Sequence, residues 1–344
     1  MIIGNPPYVE YSKTKKLYKI NNLQTEGCGN LYAFVIERSH QLLNTYAYFG
    51  MIIPLSICCG ERMALLRKFS SENMENTFIS NFEIFPSKLF EGAFQRVTIL
   101  TGMKSSNKNN FRNVSKLHRW YSIERENLIE NISFTKVDTK DVLPLFGKFQ
   151  TPIHLKVIER ISKAKKTVAH FCVKSNPKHF IYYQEATNYW MKAATRIPFY
   201  KRNGKIGSPA HGRFLYFEKD KVALSTLALL NSSLFYLWYI TYSDGFHLSD
   251  MLVKNFPSEE NLLQNESLLG LGKKLERDIE MNSIRTTRNT KTDEIEIESF
   301  KINLSKPIID EIDTVLAEHY GFTAEELDFI INYDIKYRMG KELE

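Results

Sequence analysis

A chain of 344 residues with 43% hydrophobic and 25% charged residues is long enough for two or three cores and ordinary in composition for a globular protein. Its net charge of +7 is unevenly spread: residues 148–221 hold 16 Lys/Arg against 4 Asp/Glu, and residues 258–344 hold 11 against 20, so the middle points to a polyanionic partner. No stretch approaches the ~18 uninterrupted apolar residues of a membrane span, the N-terminus shows no basic-then-apolar leader pattern, and Cys28, Cys58, Cys59 and Cys172 lack C-x-x-C spacing, which speaks against zinc and a disulfide framework and fits reduced thiols in the cytoplasm.

The first element is MIIGNPPYVEY. Met1-Ile2-Ile3 suits the end of a buried strand, and Asn5-Pro6-Pro7-Tyr8 a stiff turn that follows it. Residues 30–43 place Leu31, Phe34, Val35, Ile36, Leu42 and Leu43 at helical spacing, with Asn30 as N-cap. A buried strand is expected at 49–53 and ends at Pro54; residues 60–69 suit a helix, and 78–85 and 95–102 suit strands. This alternation predicts an open, mostly parallel α/β sheet, with residues 104–116 as a polar connector.

An aromatic, basic segment follows to about residue 257. Within it the apolar run from Leu224 to Ile240 is broken by Asn231-Ser232-Ser233. Residues 282–299 read as a polar, mobile run. A helical pair closes the chain, with Pro307 at the first start, Gly321 at its stop and a Thr323-x-x-Glu326 capping box. Gly270-Leu271-Gly272 follows no strand, so a phosphate loop is not expected there.

The turn has a chemical logic if the substrate is an aromatic amine. Such a nitrogen is a poor nucleophile, because its lone pair is delocalised into the ring. The Asn5 side-chain oxygen and the Pro6 carbonyl can each accept one N–H, which favours an sp³-like nitrogen aimed at a methyl donor. The Tyr8 ring can stack on the base, which must first leave the duplex.

G-N-P-P-Y-V after a short apolar strand resembles the catalytic motif of the methyltransferases that act on adenine N6. Asn30-Leu31-Tyr32 resembles their next motif, FGMIIP (49–54) a following strand, and KLFEGAFQRVTIL (88–100) the strand that borders the target-base pocket. Residues 227–257 and 327–340 are similar to the recognition region and C-terminus of type IIG restriction–modification methyltransferases. The resemblance implies an incomplete Rossmann-like methyltransferase sheet in residues 1–146. A mixed α+β DNA target-recognition domain (147–257) and a helical C-terminal extension (258–344) would follow.

It also implies S-adenosyl-L-methionine as cofactor and double-stranded DNA as partner. Catalytic roles fall to Asn5, Pro6, Pro7 and Tyr8, a place on the cofactor side to Asn30, and the other face of the flipped adenine to Phe90 or Phe94. In residues 196–217 cations alternate with aromatics. A solvated surface is one reading; a DNA contact by Lys192, Arg196, Lys201, Arg202, Lys205 and Arg213 is the other. The eight histidines read as ordinary polar residues and no metal is expected.

In the arrangement resembled, a glycine-rich loop and a ribose-binding acid precede the turn, whereas only four residues do so here. The expectation is the C-terminal part of a split or truncated enzyme. It would be completed by a separate N-terminal methyltransferase polypeptide, with a catalytically inactive DNA-binding remnant or specificity module as the alternative.

Overall fold

A computed structural model of the chain describes residues 1–105, 111–138 and 142–340. The chain divides into two compact units, one of residues 1–156 with 240–244, the other of residues 157–239 with 245–344. The first expected boundary, 146/147, therefore falls ten residues early. The second, 257/258, has no counterpart in this division.

The first unit is built on six strands: β1 (Ile2–Gly4), β2 (Tyr48–Pro54), β3 (Met74–Phe82), β4 (Val97–Lys104), β5 (Arg112–His118) and β6 (Thr135–Val137). Its helices are α1 (Tyr11–Thr14), α2 (Leu31–Leu42), α3 (Ser56–Cys59) and α4 (Ala64–Asn73), while α5 (Pro152–Ile161) spans the division between units. The strand order is β1-β2-β4-β3-β5-β6. The β1·β2 and β3·β5 pairs are parallel; β2·β4, β3·β4 and β5·β6 are antiparallel. The expected mostly parallel sheet is thus mixed. Helices carry the chain from β1 to β2 and from β2 to β3, which lets those strands run the same way. No α-helix separates β3 from β4, and β4 returns antiparallel. The expected connector at 104–116 overlaps β5, whose Val114 and, just beyond the expected range, Leu117 are buried; residues 106–110 lie outside the described residues.

β2 buries Phe49, Met51 and Ile53 on one face, while on the other Gly50 and Pro54 are buried and Ile52 is half-buried, as a largely apolar run should be. β1 stands at the sheet edge with Ile3 71% exposed.

The second unit holds two further sheets. One is three-stranded, ordered β7 (Cys172–Val173), β11 (Gly212–Phe217), β8 (Phe180–Gln184). The other is four-stranded, ordered β10 (Lys205–Gly207), β9 (Tyr200–Arg202), β13 (Glu294–Phe300), β12 (Ser283–Asn289). The run 282–299, expected to be mobile, therefore forms a hairpin, and it pairs with a strand of the basic segment. Its alternation EIEIE suits a strand with two different faces.

The helices of this unit are α6 (Asp220–Asn231), α7 (Ser233–Tyr242), α8 (Asp250–Lys254), α9 (Glu260–Leu263), α10 (Glu266–Met281), α11 (Lys306–Tyr320), α12 (Ala324–Asn332) and α13 (Ile335–Arg338). α7 runs on into residues 240–242 of the first unit. α6 and α7 meet at a 64° bend, and among the described residues no single helix is long and apolar enough to cross a membrane. Pro307 opens α11, Gly321 caps it at φ 68°, and the Thr323–Glu326 capping box opens α12, all as read from the sequence.

Candidate functional site

β1 delivers the turn. Gly4 packs so closely on β2 that a Cβ would stand 3.0 Å from Met51 Sδ. Past it, Asn5 and Pro7 are exposed and Pro6 is buried. Tyr8 is half-buried, and its hydroxyl donates to the Ile52 carbonyl at 3.0 Å. Burial pushes this phenol up to about 12, so it stays protonated and keeps donating at neutral pH. Its ring meets Tyr32 edge-on, with centroids 6.5 Å apart.

The segment after the turn is clamped to the start of α2. Leu31 N–H donates to Val9 O at 3.0 Å, and Tyr11 N–H to Gly29 O at 2.9 Å. Asn30 caps α2 by accepting from Tyr32 N–H, while its amide donates to Glu10 Oε1 at 3.2 Å. Arg62 donates to the other Glu10 oxygen at 2.9 Å and to Cys28 O at 3.1 Å, and this guanidinium holds the Glu10 carboxyl below its ordinary range. Asn30, expected on the cofactor side, is only 8% exposed and both its amide atoms serve this clamp. Helix capping accounts for the residue type without a ligand.

The carboxyl ends of β1, β2 and β3 lie at one edge of the sheet, together with the first residues of β4. Leu55 N–H donates to Arg96 O there at 3.0 Å. A buried cluster of Phe82, Val97, Trp120 and Leu128 sits at this edge, and both Tyr8 and Phe90 pack against it. Phe94 does not share that placement. It is 68% exposed, against Phe85 at 5.4 Å, with the Lys88 ammonium 5.8 Å from its ring centre.

Glu83, just past β3, escaped the sequence reading. Its carboxylate is buried, 2.5 Å from Arg96 Nε and 3.8 Å from Arg119, and it accepts from Ile84 N–H at 2.9 Å. Its cationic partners are remote in sequence, and nothing in NFEIFP marks it.

Beside the turn opens a cavity of about 610 Å³, lined among others by Pro7, Ile20, Leu23, Leu31, Phe34 and Arg38. S-adenosylmethionine carries a sulfonium and a ribose, which call for an anion and for hydroxyl acceptors. This cavity is mostly apolar; Asn21, Asn22 and Gln41 offer it amide oxygens that can accept from hydroxyls, but among the described residues its one charged lining residue is the cation Arg38. The fit is to an uncharged, largely apolar group, not to the whole cofactor with its sulfonium.

In the second unit the six expected DNA contacts part company. Arg196 makes two hydrogen bonds of 2.7 Å to Glu298. Lys201 pairs with Glu296. Arg202 donates to both oxygens of Asp293 at 2.9 and 2.7 Å. Arg213 donates to Glu185 at 3.1 Å. Lys192 and Lys205 are exposed with no ion pair among the described residues. Three of the four partner carboxylates lie in the 282–299 run, so the acidic tail neutralises part of the basic middle. The charge asymmetry of the sequence therefore overstates the open positive surface.

Residues 1–90 match the model of the Eco57I restriction-modification methylase family. The chain is also similar to the type II restriction enzyme and methyltransferase RM.Eco57I of Escherichia coli, with 29% identity over 143 residues, which make up 38% of this chain and 14% of that protein. Among solved structures it is similar to the type IIL restriction-modification enzyme MmeI in complex with DNA. There the identity is 12%, the TM-score 0.49, and the coverage 98% of this chain and 56% of the other. A second is the type IIG restriction endonuclease BpuSI, at 11% identity and TM-score 0.33, covering 96% and 53%. The chain spans only part of the length of each protein it matches. Its first 90 residues thus relate it to restriction-modification methylases.

Proposed function

We propose that this chain supplies the catalytic turn of an adenine-N6 DNA methyltransferase of a restriction–modification system. The observation that carries the reading is the carboxyl edge of the six-stranded sheet. An exposed Asn5, a Tyr8 tethered to Ile52 and a Phe90 on the same apolar cluster all gather there. Ligands of open α/β sheets bind outside that edge. An extruded adenine would give its amino hydrogens to Asn5 Oδ1 and the Pro6 carbonyl, with Tyr8 and Phe90 against its faces. Pro7 keeps the backbone of the turn stiff. The Tyr8–Ile52 hydrogen bond holds the phenol ring in place before the base arrives.

S-adenosylmethionine would supply the methyl group. In this reading its pocket is completed by a cofactor-binding methyltransferase segment joined at the open edge of β1, in the same polypeptide or a separate N-terminal one; the exposed Ile3 on that edge supports this. The lack of a carboxylate around the cavity beside Pro7 favours a second reading, a DNA-binding remnant or specificity module without transferase activity.

The test measures labelled methyl transfer to duplex DNA by the full chain supplemented with a cofactor-binding methyltransferase segment. Asn5→Ala is expected to lower turnover by about 10²–10³-fold, the usual cost of one oriented polar group in a transition state, with duplex affinity within about threefold. Loss of affinity as well would make the turn structural. Duplex binding with no transfer under any supplementation would establish the second reading.

A further inference from the structure

The four-stranded sheet of the second unit has two chemically different faces. Directly opposed residues of antiparallel strands share a face. The registers therefore align Lys205, Arg202, Ile295 and Arg288 in one row across β10, β9, β13 and β12. The next row on that face is Gly207, Tyr200, Ile297 and Thr286. The opposite face carries Ile206, Lys201, Glu296 and Thr287 in one row, with Glu298 opposite Arg285 and Glu294 opposite Asn289 in others. Carboxylates of the strands are thus confined to one face and absent from the other.

Lys205, Arg202 and Arg288 are exposed, whereas Tyr200, Ile295 and Ile297 are half-buried. Arg202 is engaged by Asp293 at the hairpin end, a carboxylate outside the strands; Lys205 and Arg288 have no ion pair among the described residues. All of β12 beyond Ser283 and all of β10 are exposed, so the sheet stands open to a partner.

On these grounds, and resting on the DNA reading above, we infer that the Lys205–Arg288 face is a duplex-contacting surface. Three strand spacings separate the ends of the cationic row, about 14 Å, against a major groove about 12 Å wide. Lys205 and Arg288 reach phosphates on the two groove walls. Ile295 lies between them, with Ile297 and Thr286 in the next row of the same face, where methyl groups and hydroxyls meet base edges. Glu294, Glu296 and Glu298 mark the opposite face as the one turned from the phosphates. Arg288 and the 282–299 hairpin thereby join the DNA-facing residues, while Arg196 and Lys201 hold the sheet together.

The test is fluorescence anisotropy of the full chain with a labelled DNA duplex across a salt series. For Lys205→Ala/Arg288→Ala, the slope of log affinity against log salt is expected to fall by about 2, at about 0.9 for each phosphate left without its cation. Thr286→Lys, on the same face, should tighten binding, and Ile206→Lys, on the other face, should not. An unchanged slope and affinity in the double variant, or equal gains from both added lysines, overturns the inference while the DNA reading stands. Failure of the unaltered chain to bind any duplex overturns both.

Discussion

Asp313 of α11 is fully buried beneath the start of α7 and accepts from the Ser233 and Leu234 N–H groups, both at 3.1 Å. It satisfies helix donors that would otherwise be orphaned. Arg338 braces the same corner by donating to Ser233 Oγ at 3.2 Å, its guanidinium stacked 4.1 Å from Trp190 and 4.4 Å from Tyr236. Burial outweighs these favourable contacts and pushes Asp313 up to about 6 from an ordinary 3.8. The folded chain then holds a proton that the unfolded chain has released. The stability this contributes is full below about pH 4 and is lost as pH rises through 6. Asp313→Asn cannot titrate. In urea unfolding, the stability of the wild type relative to that variant should fall by up to about 3 kcal/mol between pH 4 and pH 7. A pH-independent difference would show that the carboxylate is charged throughout. Nothing near Asp313 in the sequence announces this role, because its partners lie about 80 positions away. Asn30 is the converse case: its capping function was legible from the helix that follows it.

Two glycines of α10 differ by what lies beyond their missing Cβ atoms. At Gly272 a Cβ would stand 2.3 Å from Leu224 O, because α10 packs directly on the backbone of α6. At Gly270 nothing lies within 4 Å. Gly272→Ala should therefore destabilise by about 1–3 kcal/mol through forced separation of the helices. Gly270→Ala should stabilise by up to about 1 kcal/mol through helix propensity alone. Urea midpoints of the two variants moving in the same direction would contradict the packing. The sequence places both glycines in one helix but cannot distinguish them, since the difference is made by another element. The run 282–299 follows the same logic. Its polarity suggests a mobile connector, yet the strand pattern EIEIE is satisfied once β9 offers Lys201 and Arg202 along its edge.

At the scale of the whole molecule, residues 240–244 belong to the first unit although the surrounding chain belongs to the second. The buried Lys148 ammonium donates to Thr241 O and Ser243 O, each at 2.7 Å, and His154 Nε2 lies 2.7 Å from Thr241 Oγ1. Lys148→Met in the full chain should cost about 2–3 kcal/mol, because it strands buried carbonyls. In a fragment of residues 1–156 those carbonyls are already gone, and the same substitution should add little. Equal costs in both backgrounds, read from urea unfolding, would remove Lys148 as the tie.

The sequence by itself determined what depends on neighbours along the chain: the stiff turn, the capped helices, the buried strand at 49–53 and the break between α6 and α7. Proline geometry, capping and apolar periodicity act over a few residues, so they are written locally. Only the tertiary structure decided the direction of β4, the placing of Phe90 rather than Phe94 on Tyr8's cluster, and which cations stay open. Those outcomes depend on which distant strand or carboxylate comes to lie alongside, and no local pattern carries that information.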